Sequence, residues 1–131
     1  MAISQRITIS VTDGGNAFSS TITDAPDAET VINLAVAANQ TNQHVDFTCD
    51  NSQIISLYML STGGDLTVTT NNSGSPVATI SLKNGIPLFW HNTGGYSSVA
   101  NSPFGSTDVT QLYLTNTTAT QFQLIVGIAN V

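Results

Sequence analysis

An all-β fold is predicted by three features of this sequence: a jelly-roll-like antiparallel β-sandwich of two sheets and about nine strands, forming one domain over residues 1–131. Apolar and polar residues alternate with period two from one end to the other, as strands with one buried face require. Short runs rich in Gly and Asn interrupt that alternation and supply the positive φ values that tight reversals need. Threonine occurs 19 times, and a β-branched polar residue suits the wet face of a pleated sheet.

In chain order, Ile7, Ile9 and Val11 alternate with Thr8 and Ser10 in a first strand. Residues 24–38 carry mixed signals. Asp24, Pro26, Asp27 and Glu29 resemble a helix start, and Val31, Leu34, Ala35 and Ala38 have helical spacing. Against that, Thr30-Val31-Ile32 is β-branched and Ile32, Leu34 and Val36 alternate, so strand is the favoured reading. In Val45-Asp46-Phe47-Thr48-Cys49 the single cysteine falls on the apolar side, as a small buried group. Strands follow at 53–61, 65–70, 77–82 and 86–91, joined by Thr62-Gly63-Gly64-Asp65, by 71–76 and by Lys83-Asn84-Gly85. Links this short predict a four-stranded antiparallel meander. Residues 92–109 form one long loop. Strands 110–115 and 120–128 are then expected to pair as a hairpin through Asn116-Thr117-Thr118-Ala119, with Phe122, Leu124, Val126 and Ile128 on one face.

The surface this implies is unusual. Eight acids, one Lys (Lys83) and one Arg (Arg6) are the only formally charged residues, against 52 Ser, Thr, Asn and Gln. Monomeric domains commonly keep about a quarter of their residues charged, so a neutral surface suits a protein covered by neighbours. A net charge of −6 speaks against nucleic acid and against an anionic membrane as partner. No segment approaches the ~20 apolar residues of a membrane-spanning helix. The start of the chain has no basic region followed by an apolar stretch, so synthesis in a cytoplasm without a signal peptide is expected. Three Asn-x-Ser/Thr sites, at Asn39, Asn71 and Asn116, arise easily by chance in a chain this rich in Asn and Thr.

Chemistry-bearing residues are sparse. Asp24, Asp27 and Glu29 lack the spacing of a calcium loop. His44 and Asp46 share a strand face near Asp50 but have no evident third ligand. Solvated turns and strand faces explain both groups. Neither His44 nor His91 stands in a nucleophile motif, and nothing in the spacing of the acids nominates a pair for glycoside chemistry. The expectation is therefore no catalytic residue, no cofactor and no metal site.

Two sets of residues stand out as contact candidates. Phe89, Trp90 and His91 end a strand, with Tyr96 and Phe104 in the loop beyond. Three readings stay open for this aromatic set: Leu88 and Trp90 pointing into the core, a subunit contact, or a surface on which sugar rings stack. In strand 53–61, Ile55, Leu57 and Met59 take one face while Ile54, Tyr58 and Leu60 take the other. A sheet with a wet outer face needs only one apolar face, so the second set calls for a cover. Tyr113 and Ile125 are likewise off the inward sets of their strands. Edges with so little Lys or Pro protection point the same way, toward a homo-oligomer. Shielding of those edges by the N-terminal segment and the 92–109 loop is the intramolecular alternative.

The run Leu66-Thr67-Val68-Thr69-Thr70-Asn71-Asn72-Ser73-Gly74-Ser75-Pro76, followed by Ile80-Ser81-Leu82-Lys83-Asn84-Gly85-Ile86-Pro87-Leu88-Phe89-Trp90 and Asp108-Val109-Thr110-Gln111-Leu112-Tyr113-Leu114-Thr115-Asn116, resembles small β-sandwich virion proteins of tailed bacteriophages. These are described as structural, decoration or cement proteins. The resemblance covers about the second half of the chain and has turn and strand pattern but no chemistry in it. It implies a protein on the capsid surface of a virion that reinforces the shell, with the major capsid protein as partner and a trimer as the favoured oligomer. A carbohydrate-binding or host-contact module of a phage fibre or tail is the alternative.

Overall fold

The computed structural model describes residues 3–92 and 102–129, and these are all-β and antiparallel. Ten strands are present, where about nine were expected: β1 (Gln5–Asp13), β2 (Asn16–Asp24), β3 (Ala28–Val36), β4 (Gln43–Val45), β5 (Ile54–Thr62), β6 (Leu66–Thr70), β7 (Thr79–Leu82), β8 (Leu88–His91), β9 (Leu112–Thr115) and β10 (Thr120–Ile128). The additional strand is β2. Gly14 and Gly15 form a two-residue reversal between Asp13 and Asn16, and Gly14 adopts φ +59°, the conformation a primed hairpin turn requires at its first central position.

Strands β3 to β10 form two four-stranded sheets with the orders β3-β10-β5-β8 and β4-β9-β6-β7. This is the strand order of a jelly roll, in which chain neighbours other than β6 and β7 fall in opposite sheets. The expected meander is therefore corrected. Within β3 to β10 only β6 and β7 pair as consecutive strands, whereas β5 pairs with β8 and β10, and β9 pairs with β4 and β6. The expected hairpin between 110–115 and 120–128 is corrected for the same reason, since β9 and β10 lie in different sheets.

The glycines at 63 and 64 serve this crossing rather than a hairpin. Gly63 has φ +91°, and a side chain there would meet the Ala119 carbonyl oxygen at 2.8 Å. A side chain at Gly64 would run into Thr118. The 62–65 and 116–119 corners thus pack against each other, which leaves no room for a Cβ.

Residues 28–36 are strand, as favoured. Asp27 N donates to Ile128 O at 2.9 Å, and Ile32, Leu34 and Val36 face inward along β10. Between the sheets, Leu57, Met59, Phe122, Leu124 and Val126 meet Leu66, Val68, Leu112 and Leu114, all buried. At one end Phe47 and Phe104 close the core, their rings 5.9 Å apart. Asn51 holds the chain that carries Phe104: its side chain accepts from Ser102 Oγ at 2.5 Å and donates to Gly105 O, while its backbone N donates to Asp108 at 3.0 Å.

The pair β1 and β2 stands apart as a two-stranded sheet, hereafter the arm. Residues 8–21 of the arm are exposed throughout.

Candidate functional site

Both the root of the arm and the apolar surplus foreseen in β5 fall on the outer face of the β3-β10-β5-β8 sheet. Strand register arranges that face into transverse rows. His91, Ser56, Gly127 and Glu29 are successive partners across β8, β5, β10 and β3, and they make one row. Two residues along, Phe89, Tyr58, Ile125 and Val31 make the next. The following row continues with Leu60, Gln123 and Asn33.

The arm is clamped to the first row. Gln5 and Asp24, which face each other at the arm's base, divide the work. Asp24 accepts from His91 Nε2, with its two oxygens at 2.9 and 3.0 Å. The Gln5 side chain accepts from Ser56 Oγ at 2.7 Å and donates to Glu29 at 2.8 Å. Gln5 lies directly over Gly127, where a Cβ would sit 2.5 Å from its Oε1. Gly127 therefore makes the seat for Gln5, and the buried amide keeps its hydrogen bonds, as burial requires. Beyond the clamp, Ile7, Tyr58, Ile125 and Arg6 line a cleft of about 380 Å³ between arm and sheet.

The second row is apolar and incompletely covered. Val31 is 59 % exposed and Ile125 36 %, while Tyr58 and Phe89 are half-buried. The arm continues this surface. Register puts Ile7 opposite Ile22, Ile9 opposite Ser20 and Val11 opposite Phe18, so the arm's apolar side chains share one face. Ile7 and Ile22, near the root, are half-buried. Further out none of the described residues covers that face, and Ile9, Val11 and Phe18 are 48 %, 55 % and 65 % exposed.

The structure brings together Tyr58, Leu60, Phe89 and Ile125 of the contact residues read from sequence. It separates the others. Ile54 is corrected from an outward to a core position, because a bulge pairs Ile54 with Ile128 and Ser56 with Gly127, leaving Ile55 as the extra residue. One inserted residue reverses the facing of everything before it. Phe104 is corrected likewise, being fully buried against Phe47. Trp90 packs half-buried against the core alongside Leu88, so Trp90 and Phe89 point to opposite faces of β8. Tyr113 lies on the outer face of the other sheet, its ring centroid 5.5 Å from that of His44. Tyr96 lies outside the described residues. A sugar platform built on Trp90, Tyr96 and Phe104 loses Trp90 and Phe104 to the core. The sequence reading missed Val31, Ile9, Val11 and Phe18 as an exposed set. The turn Asp13-Gly14-Gly15-Asn16 with Phe18 and Ile22 at even spacing was the available signal.

Activated chemistry is not apparent in the groups that could supply it. Cys49 is buried, and its thiol is pushed up to about 12, first by burial and then by the charges of Asp50 and Asp108. That is the reverse of an activated nucleophile. Among the described residues no three His, Cys, Asp or Glu side chains converge as metal ligands. His44 on β4 and Asp46 just beyond its end stand 3.5 Å apart, both exposed, and no helix of the described residues is long and apolar enough to cross a membrane.

No family model matches this chain, and no curated protein does. Among solved structures it is similar to the crystal structure of a chain assigned as ethanolamine utilization protein Q from Salmonella typhimurium LT2, at 13% identity and a TM-score of 0.36, over 98% of this chain and 99% of that one. A likeness this low carries no argument for what this chain does. The expectation of a capsid decoration protein, with its fibre-module alternative, is corrected: no family model and no curated protein supports a virion role, and that solved structure is named for another role. The turn and strand pattern behind that expectation is accounted for by jelly-roll strands β6 to β9 alone.

Proposed function

We propose that this chain is a non-catalytic, self-associating β-module that completes its surface by docking onto further copies of itself. The observation that carries this reading is the continuity of the Phe89–Tyr58–Ile125–Val31 row with the apolar face of the arm. Surface like this is normally covered: at ~25 cal/mol per Å², a few hundred Å² of it is worth several kcal/mol. The Phe89–Tyr58–Ile125–Val31 row carries no formal charge, and the arm face carries charge only at its ends, Asp13 at the tip and Asp24 at the clamp, so the apolar stretch between them can meet the row without placing like charges together.

Size-exclusion chromatography with light scattering tests the proposal. The purified chain is expected to have a mass well above its 13.7 kDa monomer. Because the contact is apolar, that mass is expected to hold between low and high salt, where screening would dissolve an association of surface charges. A monomer at micromolar concentration in both salts overturns it.

A further inference from the structure

We infer that the arm is an exchange element: its apolar face seats on the Phe89–Tyr58–Ile125–Val31 row of a second copy, whose own arm seats on a like row in turn. This deepens the self-association reading and rests on it, adding which surfaces meet and how. Three features lead there.

First, the arm lacks the means to hold itself. An isolated two-stranded ribbon is marginal in water, and three strands or a packed face are needed for independent stability. The chain supplies a packed face only at the root, through Gln5, Asp24 and Ile7. The nine-residue strands continue outward with no third strand beside them among the described residues.

Second, the two exposed apolar surfaces fit each other in size. Six residues of β1 beyond Ile7 extend about 20 Å at the usual strand rise, and four strands span about 19 Å at the usual sheet spacing. One occupant therefore covers Ile9, Val11 and Phe18 on the arm together with Val31 and Ile125 on the row.

Third, the area favours exchange over arm-on-arm packing. At their exposures, Ile9, Val11 and Phe18 present about 300 Å² of apolar surface. Arm against arm would bury about that per copy, well short of the ~800 Å² per partner of a stable interface. In exchange each copy gives one arm and receives another, which doubles the burial to roughly 600 Å² before the arm's edges are counted. Each arm meets an unlike surface on its neighbour, so the contacts close into a ring only if every row is filled.

The test combines charge substitution with cross-linking. Phe18→Asp on the arm and Val31→Asp on the row each bury an unpaired carboxylate, and each is expected to weaken association at least about 30-fold. Both sites are exposed in the single chain, so circular dichroism and thermal unfolding of the monomer should be unchanged. Val11→Cys and Val31→Cys are then prepared as separate proteins, mixed and oxidised. Exchange predicts a disulfide-linked heterodimer from the mixture, since Cys49 is buried and does not compete. A wild-type monomer overturns self-association itself, and exchange with it. An oligomer that Phe18→Asp and Val31→Asp leave intact overturns exchange while self-association stands. A cross-link formed within a chain carrying both cysteines, but never between the mixed proteins, shows the arm folding down on its own sheet and also overturns exchange.

Discussion

Strand β1 in the arm and strand β10 in the body are both nine residues long, and both alternate apolar with polar side chains. Their fates differ. Phe122, Leu124 and Val126 are fully buried between two sheets, whereas Ile9 and Val11 lie open to solvent. The residue types do not explain this, since Ile and Val are as apolar as Leu. What differs is the neighbours: β10 sits between β3 and β5 with a second sheet beneath it, while among the described residues β1 pairs with β2 alone. Alternation in a sequence therefore announces a strand and its apolar face, but not what covers that face. In the body the cover is the same chain. In the arm no described residue of the chain covers Ile9, Val11 and Phe18.

That contrast is sharpest in the core. Phe122→Ala is expected to cost about 3–5 kcal/mol of unfolding free energy, because a fully buried ring leaves a cavity between the sheets. Phe18→Ala in the arm is expected to change monomer stability by no more than about 0.5 kcal/mol. Chemical denaturation of both variants at a concentration where the protein is monomeric measures the difference.

The seam between the two regions comes next in size. Gly127→Val places a branched side chain where the Gln5 amide lies, and is expected to cost about 1–3 kcal/mol and to displace Gln5 from Ser56 and Glu29. Limited proteolysis should then cut near the arm's root faster than in the wild type, with the β3 to β10 body intact. Equal cutting rates would mean that the clamp does not hold the arm.

Cys49 reports on the body alone. Its folded-state value is raised from the ordinary 9.0 to about 12, so the contribution of the protonated thiol is fully present below pH 9 and is lost as pH climbs toward 12. Wild-type stability is expected to decline over that window more steeply than that of Cys49→Ala. A thiol reagent at pH 8 should label Cys49 only as fast as the body unfolds.

The smallest effect is expected at Asp65. Its carboxyl is held below the usual value of 3.8, first by the hydrogen bond from the Asn84 backbone and then by Lys83. Its contribution is present above the ordinary carboxylate value and fades as pH falls through the lowered one. Asp65→Asn should flatten the acid limb of the stability profile slightly, through an equally slight loss at neutral pH, where the contribution is present and small because the group is fully exposed.

Much of the body was legible in the sequence because inward and outward residues alternate in β6, β9 and β10. The register was not. Whether Ile54 or Ile55 faces the core depends on where β5 pairs with Gly127 and Ile128, a partner more than seventy residues away. Gly63 and Gly64 read equally well as a hairpin turn or as a corner between sheets, since both uses need a missing Cβ, and only the nearby Ala119 and Thr118 decide it. Phe104 gave no periodic signal, being anchored by Asn51 from a distant part of the chain. At the candidate site Tyr58, Leu60, Phe89 and Ile125 were visible as residues off their strands' inward sets. Val31 was not, because the helical spacing of 24–38 masked its facing. The seat at Gly127 was invisible, because a glycine declares its role only through what lies above it.

Hydrogen exchange of the arm amides at two protein concentrations tests the central claim most directly. If a second copy covers the arm, protection in β1 and β2 beyond the Gln5–Asp24 clamp rises as the protein is concentrated, while protection in β5 and β10 stays constant. Arm protection that is equally high in dilute and in concentrated protein would show that the chain closes its own surface, and would contradict the account.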